Sequence, residues 1–503
     1  MAIVAVCGLD VEGELERALL CPTRMATPNG FGRSGRPGPP DPTGSEGPHV
    51  RLKSSASYLL GAHLFRLTAA SCALVALACA PEPQPEQRIV LITLDTLRYD
   101  GLAGQVEGRA TMPRTRALAQ RGRVFRRSYA ASSTTQPTHA SLFTGLHPWQ
   151  HGVPRNGVVM EAELETVTER MRDRGYSTAA VVASFPVHSE FGFDQGFERF
   201  EDDFSAKGIQ RWNGVAVPGE HFYSRADAVT AKALAQLDEL GGTKQFFWFH
   251  YFDAHAPYGD APGAVPIKLV PLKKSLRNPA TNREQRIDEA RRNYFHDVRY
   301  LDQMLGTLYD RLLADAETIE THIVLVSDHG ESFGEGNFLG HGKGLTPEQV
   351  HVPLFVFSPR VGPGTSDMEV GSIDVAATLD TLSGGNDLPS VGFDLSSDPA
   401  TWPSGRPVVG MRRTFAEPYE NTFADGSTGF VEGSLFYLAE GGREYVGTAA
   451  DLTANDGDAI DEAIAARVQA LFGTFEAELS GRAHTERVDE ATQRALEALG
   501  YTR

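Results

Sequence analysis

Acidic residues and histidines follow three long hydrophobic segments of the chain. Asp95 ends "RIVLITLD", Asp253 and His255 lie in "FHYFDAH", and Asp328 with His329 follows "HIVLVS". One such acid often only caps a helix, but carboxylates at three buried segment ends need a compensating charge. A divalent cation supplies that charge most simply. The pattern therefore predicts a metal site assembled from residues that are far apart in sequence.

Each of these segments has the composition of a buried β-strand. Continuous runs of Val, Ile, Leu and Phe are typical of central strands that are covered on both faces. Five such strands are predicted, at 88–95, 177–184, 245–253, 322–330 and 352–359. Helical patterns separate them, at 111–122, 161–174, 224–240, 284–313 and 372–383. This alternation predicts an α/β fold with a large, mostly parallel sheet, whose sites lie at the carboxyl ends of its strands.

The overall composition is that of an acidic globular protein. Of the 503 residues 41% are hydrophobic and 22% are charged, and the formal net charge is −18. This balance argues against a nucleic-acid partner and against an anionic membrane surface. The basic run "RGRVFRR" at 121–127 is interpreted as the solvated edge of a helix. All four cysteines lie in the first 80 residues, so the rest of the chain contains no disulfide.

The N-terminal region has the organisation of an export signal behind a long extension. Residues 1–50 end in a Gly- and Pro-rich stretch and are predicted to be disordered or untranslated. In 51–80 basic residues precede the apolar run "LTAASCALVALACA", which predicts a signal peptide, and 81–87 form a polar tether. Cys79 allows a lipoprotein signal with a lipid anchor, and plain cleavage is the alternative. The mature protein is expected to be exported, either periplasmic or membrane-anchored by lipidation.

Six motifs in order resemble the sulfatase family of the alkaline phosphatase superfamily. They are "ITLDTLRYDGL" (92–102), "TTQPTHASLFTGLHPWQHGV" (134–153), "HYFDAHAPY" (250–258), "VLVSDHGESFGE" (324–335), "GHGKG" (340–344) and the closing "ALEALGYTR" (495–503). The resemblance implies an alkaline phosphatase-like catalytic domain over 88–400, with a large mixed sheet of about ten strands flanked by helices. It implies a smaller C-terminal subdomain and tail over 401–503, and hydrolysis of sulfate or phosphate esters at a divalent metal.

The second motif aligns with the family signature C/S-x-P-x-R, whose first residue is oxidised to formylglycine in sulfatases. Pro137 and "LFTG" (142–145) fix the register, which puts Thr135 at the nucleophile position and His139 at the arginine. Threonine is not a known substrate of the maturing enzymes, so formylglycine is not expected. A threonine ester has no internal route for expelling sulfate and must be attacked by water, whereas phosphoryl-threonine is a workable intermediate. The resemblance therefore favours phosphorus chemistry with Thr135 as the nucleophile.

The resemblance also implies the metal ligands. Asp95, Asp328 and His329 match the family's ligands, with Thr135 as the fourth. Thr96 stands where sulfatases usually carry a second acid, which weakens the case for Ca²⁺. Ca²⁺, Mg²⁺, Mn²⁺ and Zn²⁺ all remain open as the identity of the single ion.

Further residues are implied as anion contacts. His255 and Lys343 match the family's anion-binding histidine and lysine, and His341 lies beside them in "GHGKG". His139 is either a catalytic group or only a hydrogen-bonding residue near the helix start. A second ion on Asp253, His255 and His341 is disfavoured, because the two-metal enzymes of the superfamily space their Asp and His four residues apart.

The sequence as a whole predicts an exported, single-metal hydrolase of sulfuric or phosphoric esters. The substrate is expected to be a small molecule, a glycan or a lipid head group. Two alternatives are a true sulfatase that uses unmodified Thr135, and an inactive member that binds anionic glycans. Inactivity is disfavoured because five polar residues remain at strand ends and loops: Asp95, His255, Asp328, His329 and Lys343.

Overall fold

A computed structural model gives the conformation of the chain from residue 86 to residue 480. Within that span it does not describe 205–210, 213–214, 217–221, 343, 404, 414–418, 421–427, 430–433, 449–451 and 455–456. The predicted extension and signal peptide, with Cys79, lie outside the described residues, as do Lys343 and the motif at 495–503. The last two residues of the predicted tether begin the first strand instead. Among the described residues no helix is long and apolar enough to cross a bilayer.

An eight-stranded mixed sheet forms the centre of the described part of the chain. Its strands are β1 (Glu86–Leu94), β2 (Arg123–Tyr129), β3 (Ser177–Val181), β4 (Arg199–Glu201), β5 (Lys244–Tyr251), β6 (Ile319–Ser327), β7 (Leu354–Phe357) and β8 (Gly364–Gly371). The spatial order is β8-β2-β7-β6-β1-β5-β3-β4, and β7 is antiparallel to both of its neighbours while the other pairs are parallel. The described sheet has fewer strands than the family resemblance implied.

The five strands predicted from hydrophobic runs are confirmed as β1, β3, β5, β6 and β7. The interpretation of 121–127 as a helix edge is wrong, because most of this run belongs to β2. Arg126 and Arg127 form ion pairs with Asp367 and Glu369 of the neighbouring β8. These acids neutralise the cations locally, so a basic segment can occupy a strand.

Helices cover both faces of the sheet. They are α1 (Pro113–Ala119), α2 (Thr135–Thr144), α3 (Val167–Asp173), α4 (Ala226–Glu239), α5 (Leu269–Leu276), α6 (Arg283–Ala314) and α7 (Ile373–Leu382), with short turns of helix at Tyr99–Ala103, Pro148–His151 and Pro347–Val350. The helix predicted at 161–174 begins only at Val167. A capping box sets this start: the Glu169 N–H donates to the Thr166 hydroxyl at 3.2 Å, and the Thr166 N–H donates to the Glu169 carboxylate at 3.0 Å.

Two hydrophobic clusters lie on opposite faces of the sheet. Val90 and Ile92 of β1 belong to one cluster, together with residues of α4, α5 and α6. Ile89 and Leu91 belong to the other, together with residues of α2, α3 and α7. Successive side chains of a strand point to opposite faces, so a strand buried on both sides must be apolar throughout. The resulting rigid frame fixes the positions of the strand ends.

A separate antiparallel sheet follows near the C-terminal end of the described chain. Its strands are β9 (Val408–Arg413), β10 (Ser434–Glu440), β11 (Arg443–Gly447) and β12 (Leu452–Ala454), followed by α8 (Glu462–Ser480). Met411, Phe436 and Phe472 are buried between this sheet and α8. The Met411 N–H donates to the carbonyl of Ala131 at 2.8 Å, which joins the sheet to the segment that leads into α2.

Candidate active site

Asp95, Asp328 and His329 meet where the two central strands end. Asp95 directly follows β1 and Asp328 directly follows β6, and the parallel register pairs Leu94 with Ser327. This register sets the two acids level with each other at the carboxyl edge of the sheet. One ligand atom from each of the three side chains lies within 4.8 Å of the other two, and all three residues are buried.

The carboxylates lack the hydrogen bonds that buried oxygens normally accept. Both oxygens of Asp95, and Oδ2 of Asp328, have no hydrogen-bond partner among the described residues. Nε2 of His329 lies 4.0 Å from Asp95 Oδ1 and 3.5 Å from Asp328 Oδ2. Atoms that bind one cation at about 2.0–2.6 Å lie at most about 5 Å apart. The three side chains therefore fit a divalent ion.

Burial governs the protonation of these groups. Burial raises the pKa of Asp95, and burial together with the neighbouring Asp95 charge raises the pKa of Asp328. Burial lowers the pKa of His329 to about 3, which keeps the imidazole neutral, the form that coordinates metals. A nearby cation favours the charged form of a carboxylate. A bound ion and the two acids would thus stabilise each other.

Thr96 adopts an unusual backbone conformation beside the acids. Its φ of 56° is left-handed, which is strained for a β-branched residue. Its backbone N–H donates to Asp328 Oδ1 at 3.1 Å. At the position where sulfatases usually carry a second acid, this chain therefore offers an amide donor to Asp328.

Thr135 is the first residue of α2 and lies beside the same three groups. Its hydroxyl is 3.4 Å from Nε2 of His329, and the residue is 0% exposed. The N-terminus of a ten-residue helix carries a partial positive charge that favours an anion. The structure thus brings the predicted nucleophile next to the predicted ligands.

His139 lies one turn further along α2 and is held by protein groups on both ring nitrogens. Nδ1 is 2.9 Å from the carbonyl of Thr135, and Nε2 is 3.2 Å from the hydroxyl of Thr93. Nδ1 also lies 3.7 Å from Asp328 Oδ2. Burial lowers the pKa of His139, so the ring is neutral. These contacts favour a role in positioning the start of α2 over a direct contact with substrate.

His255 and His341 form a pair beside the metal ligands. Their Nε2 atoms are 3.1 Å apart, and the ring of His341 lies 4.3 Å from that of His329. Nδ1 of His255 contacts the Ala256 carbonyl at 2.7 Å. Burial lowers the pKa of His255 to about 4 and also lowers that of His341. The pair therefore lies beside His329, whose imidazole contacts Thr135.

Asp253 caps a helix. Its Oδ1 accepts the Ala226 N–H at 3.0 Å at the first residue of α4. In the described part of the chain the group able to hold a metal consists of Asp95, Asp328 and His329 alone. The disfavoured second ion on Asp253 and the two histidines has no assembled site here.

Two buried residues near the acids were not predicted from the sequence. His250 of β5 places Nε2 3.6 Å from Asp95 Oδ2, and its Nδ1 accepts the Ala183 N–H at 3.2 Å. Glu331 follows the motif that contains His329, is fully buried, and has a pKa raised to about 8 by burial. The signal for Glu331 was a third ionisable residue in "SDHGE". His250 could be found only from the strand register, which pairs it with Thr93.

The fold and the site together are those of the alkaline phosphatase superfamily. A family model described as Sulfatase matches residues 87–385. The chain belongs to the sulfatase family.

Curated relatives match more than half of the chain. A choline-sulfatase of Rhizobium meliloti (strain 1021) is 26% identical over 327 residues, which is 54% of this chain and 62% of the relative. A multifunctional alkaline phosphatase superfamily protein of Trinickia caryophylli is 24% identical over 383 residues, which is 59% of this chain and 74% of the relative. The match to the first of these relatives thus spans less than two thirds of its length.

Solved structures share the fold at lower identity. The phosphonate monoester hydrolase of Silicibacter pomeroyi is 20% identical with a TM-score of 0.57, and the match covers 80% of this chain and 96% of that one. A protein solved in complex with its substrate D-glucosamine-2-N,6-O-disulfate is 16% identical with a TM-score of 0.57, covering 81% of this chain and 100% of the other. These likenesses establish the common architecture.

Proposed function

We propose that this protein is a metal-dependent hydrolase of phosphoric or sulfuric esters in which Thr135 is the nucleophile. The observation that supports this proposal is the position of the Thr135 hydroxyl. It lies 3.4 Å from Nε2 of His329, which belongs to the same group as the two buried acids. A hydroxyl is a weak nucleophile at its own pKa, and a divalent ion held by these groups would lower that pKa.

The chain's own groups bind and orient the ester. The N-terminus of α2 offers a partial positive charge to the oxygens of the anion. His255, which the family resemblance implies as an anion contact, could bind those oxygens together with the neighbouring His341. Attack by Thr135 forms the Oγ1–P bond and releases the alcohol of the ester, which takes up a proton. Water then attacks phosphorus, so that a new O–P bond forms as the Oγ1–P bond breaks; the phosphorus acid leaves and a proton from the water restores the Thr135 hydroxyl.

Phosphorus esters are favoured over sulfate esters by the nucleophile itself. A threonine ester of either acid must be released by water, and phosphoryl-threonine is a workable intermediate for that step. A relative described as a phosphonate monoester hydrolase has the same fold. The substrate class is a small-molecule, glycan or lipid-head-group ester.

A true sulfatase that uses unmodified Thr135 is the second candidate. The choline-sulfatase relative supports it, because its described activity is on a sulfate ester. The inactive, glycan-binding alternative is less favoured, because buried carboxylate oxygens that accept no hydrogen bond from the described residues lie near Thr135.

Export is a further part of the proposal. It is supported by the charged and apolar segments of 51–80 and by Cys79 at the end of the apolar run. Periplasmic release and lipid anchoring at Cys79 are its two forms.

Assays of several substrates in parallel, with variants of Thr135, test the assignment of the nucleophile. The metal-loaded protein is assayed with an aryl sulfate, a phosphate monoester, a phosphodiester and a phosphonate monoester. Thr135→Ala is expected to lose about 10³-fold or more in kcat, while bound metal falls little. Thr135→Ser should retain part of the activity, because it keeps the hydroxyl. Thr134→Ala, which removes the neighbouring hydroxyl, serves as the matched control.

The same experiment separates the alternatives. A wild-type preference for phosphodiester or phosphonate that disappears in Thr135→Ala supports the threonine-phosphoryl route. A preference for aryl sulfate would favour the true sulfatase. Equal turnover in Thr135→Ala and wild type would exclude Thr135 as the nucleophile.

A further inference from the structure

The segment from 261 to 283 is basic although the protein as a whole is acidic. Its 23 residues contain five cations and no Asp or Glu. The chain carries 65 acids in 503 residues, so a run of this length would carry about three on average. The five cations are Lys268, Lys273, Lys274, Arg277 and Arg283. We call the exposed side of α5 and its flanks, with these residues, the basic face.

The positive charge of the basic face is not fully neutralised. Elsewhere on the surface, cations are commonly paired, as Arg311 is with Asp238 at 2.8 Å and Arg360 with Glu320 at 2.8 Å. Lys268 and Lys274 are exposed, and neither forms an ion pair with another residue that the structure describes. A local excess of positive charge on a molecule of net charge −18 is a focus for anions.

Lys273 links the basic face to the active site. Leu272 and Leu276 bury the inner side of α5 in the core. Lys273 extends toward Gly340, which ends the short strand Leu339–Gly340. A Cβ placed on Gly340 would lie 3.0 Å from the Lys273 ammonium, so glycine leaves the space that this group occupies. Gly340 directly precedes His341, and the charge of Lys273 acts on both His341 and Glu331. The basic face is therefore continuous with the site.

We propose that the basic face binds the non-reacting part of a polyanionic substrate, such as a chain bearing several sulfate or phosphate groups, while one ester group occupies the site at Thr135. The proposal rests on the proposed function and specifies its substrate class. Lys268 and Lys274 would contact groups remote from the reacting ester, and Lys273 a group next to it. Binding energy from remote anionic groups would then hold the ester at the nucleophile.

An anionic membrane is the other surface that a basic face could bind. The exposed apolar residues of the segment are Val265, at 83% exposure, and Val270, at 40%. Helices that lie in a membrane interface usually insert Trp, Phe or Leu, and 261–283 contains no aromatic residue. Two valines offer little apolar area, so a soluble polyanion is favoured.

The test compares two double variants with equal changes of charge. K268E/K274E alters the basic face. R116E/R121E is the control, because Arg116 and Arg121 are also exposed and Arg121 packs 5.0 Å over Phe357, which pairs with Ile323 at the middle of β6, five residues before Asp328. The control therefore lies away from the carboxyl edge that carries the site. Circular dichroism verifies folding, and K268Q/K274Q replaces the first variant if it does not fold.

Labelled dextran sulfate is the binding probe, and neutral dextran is its control. Fluorescence anisotropy is expected to show binding that weakens as salt rises from about 20 to 200 mM, because the contacts are electrostatic. The Kd should rise roughly tenfold in K268E/K274E and less than twofold in R116E/R121E. Dextran sulfate should also raise the KM of a small aryl ester without changing kcat, since both compete for the site.

Several outcomes would overturn the proposal. Equal Kd values for the two double variants would remove the basic face as the binding surface. Inhibition that lowers kcat without raising KM would place the polymer away from the site. Binding to vesicles of phosphatidylcholine and phosphatidylglycerol, without binding to dextran sulfate, would identify a membrane surface instead. Loss of aryl ester turnover in Thr135→Ala tests the proposed function separately, since anisotropy needs no turnover.

Discussion

Asp328 is a buried acid whose environment calls for a neighbouring positive charge. Its Oδ2 has no hydrogen-bond partner among the described residues, and Asp95 lies beside it. Two buried acids this close repel each other when both are charged. The site therefore needs either protonation or a cation, and the latter leaves both carboxylates available as ligands.

Asp328→Asn is expected to remove metal-dependent stabilisation. A ligand that binds only the folded state raises stability by RT ln(1 + [L]/Kd), so chelation should lower the Tm of the wild type. The variant should show little bound metal by elemental analysis and a Tm that does not change with EDTA. Asp253→Asn, at a buried acid outside the ligand group, should keep the wild-type response. An unchanged EDTA shift in Asp328→Asn would contradict the assigned site.

The site residues differ in how far the sequence could reveal them. Asp95 and Asp328 follow apolar strands directly, so their position at a shared sheet edge could be predicted. His250 lies inside an apolar strand, and its distance of 3.6 Å from Asp95 depends on a strand register that local sequence does not specify. Glu331 is similar, because its burial depends on contacts formed only in the folded chain.

At the scale of elements, the central strands were predictable and the strands toward the edges were not. β1, β5 and β6 are buried on both faces, so they are continuous apolar runs. β2 is basic, and it can form a strand because Arg126 and Arg127 pair with acids of β8. Those acids lie about 240 residues after the arginines in the sequence. Local composition could not reveal this compensation.

The start of α4 carries a pH-dependent contribution to stability. Burial raises the pKa of Asp253 from 3.8 to about 7, with the charges of Asp260 and Asp227 adding to the rise. The Asp253 carboxyl thus binds its proton more tightly in the folded state than in the unfolded chain, so protonation stabilises the folded state. The contribution is complete below about pH 4 and is lost as the pH rises through 7.

Asp253→Asn is expected to flatten this pH dependence. The amide oxygen can still accept the Ala226 N–H, and no buried charge develops at high pH. At pH 8 the variant should be more stable than the wild type, by at most about 4 kcal/mol for three pKa units. At pH 4 the two proteins should have similar stability. Denaturant unfolding at both pH values measures the difference, and an equal difference at both would show that Asp253 does not titrate in this range.

At the scale of the whole molecule, the apolar clusters that stabilise the fold and the charged groups of the site occupy different places. The two clusters on the faces of the sheet stabilise the frame, and the site lies at one edge of that frame. An acidic molecule repels anionic substrates on average, so local cations must offset its field near the site. The composition predicted the acidic balance, but not the position of the basic face beside His341.

The proposed export depends on the N-terminal segment, and Cys79 separates its two proposed forms. Expression of the full chain in a bacterial host should give protein that lacks residues 1–78 if Cys79 becomes an acylated N-terminus. That protein should fractionate with membranes, because a lipid-modified terminus anchors a soluble domain. Cys79→Ser should then move it out of the membrane fraction, while Cys72→Ser, inside the apolar run, should not. A soluble periplasmic protein that is identical in both variants would favour plain cleavage. Intact chain in the cytoplasm, detected by mass spectrometry of its N-terminus, would exclude export by this segment.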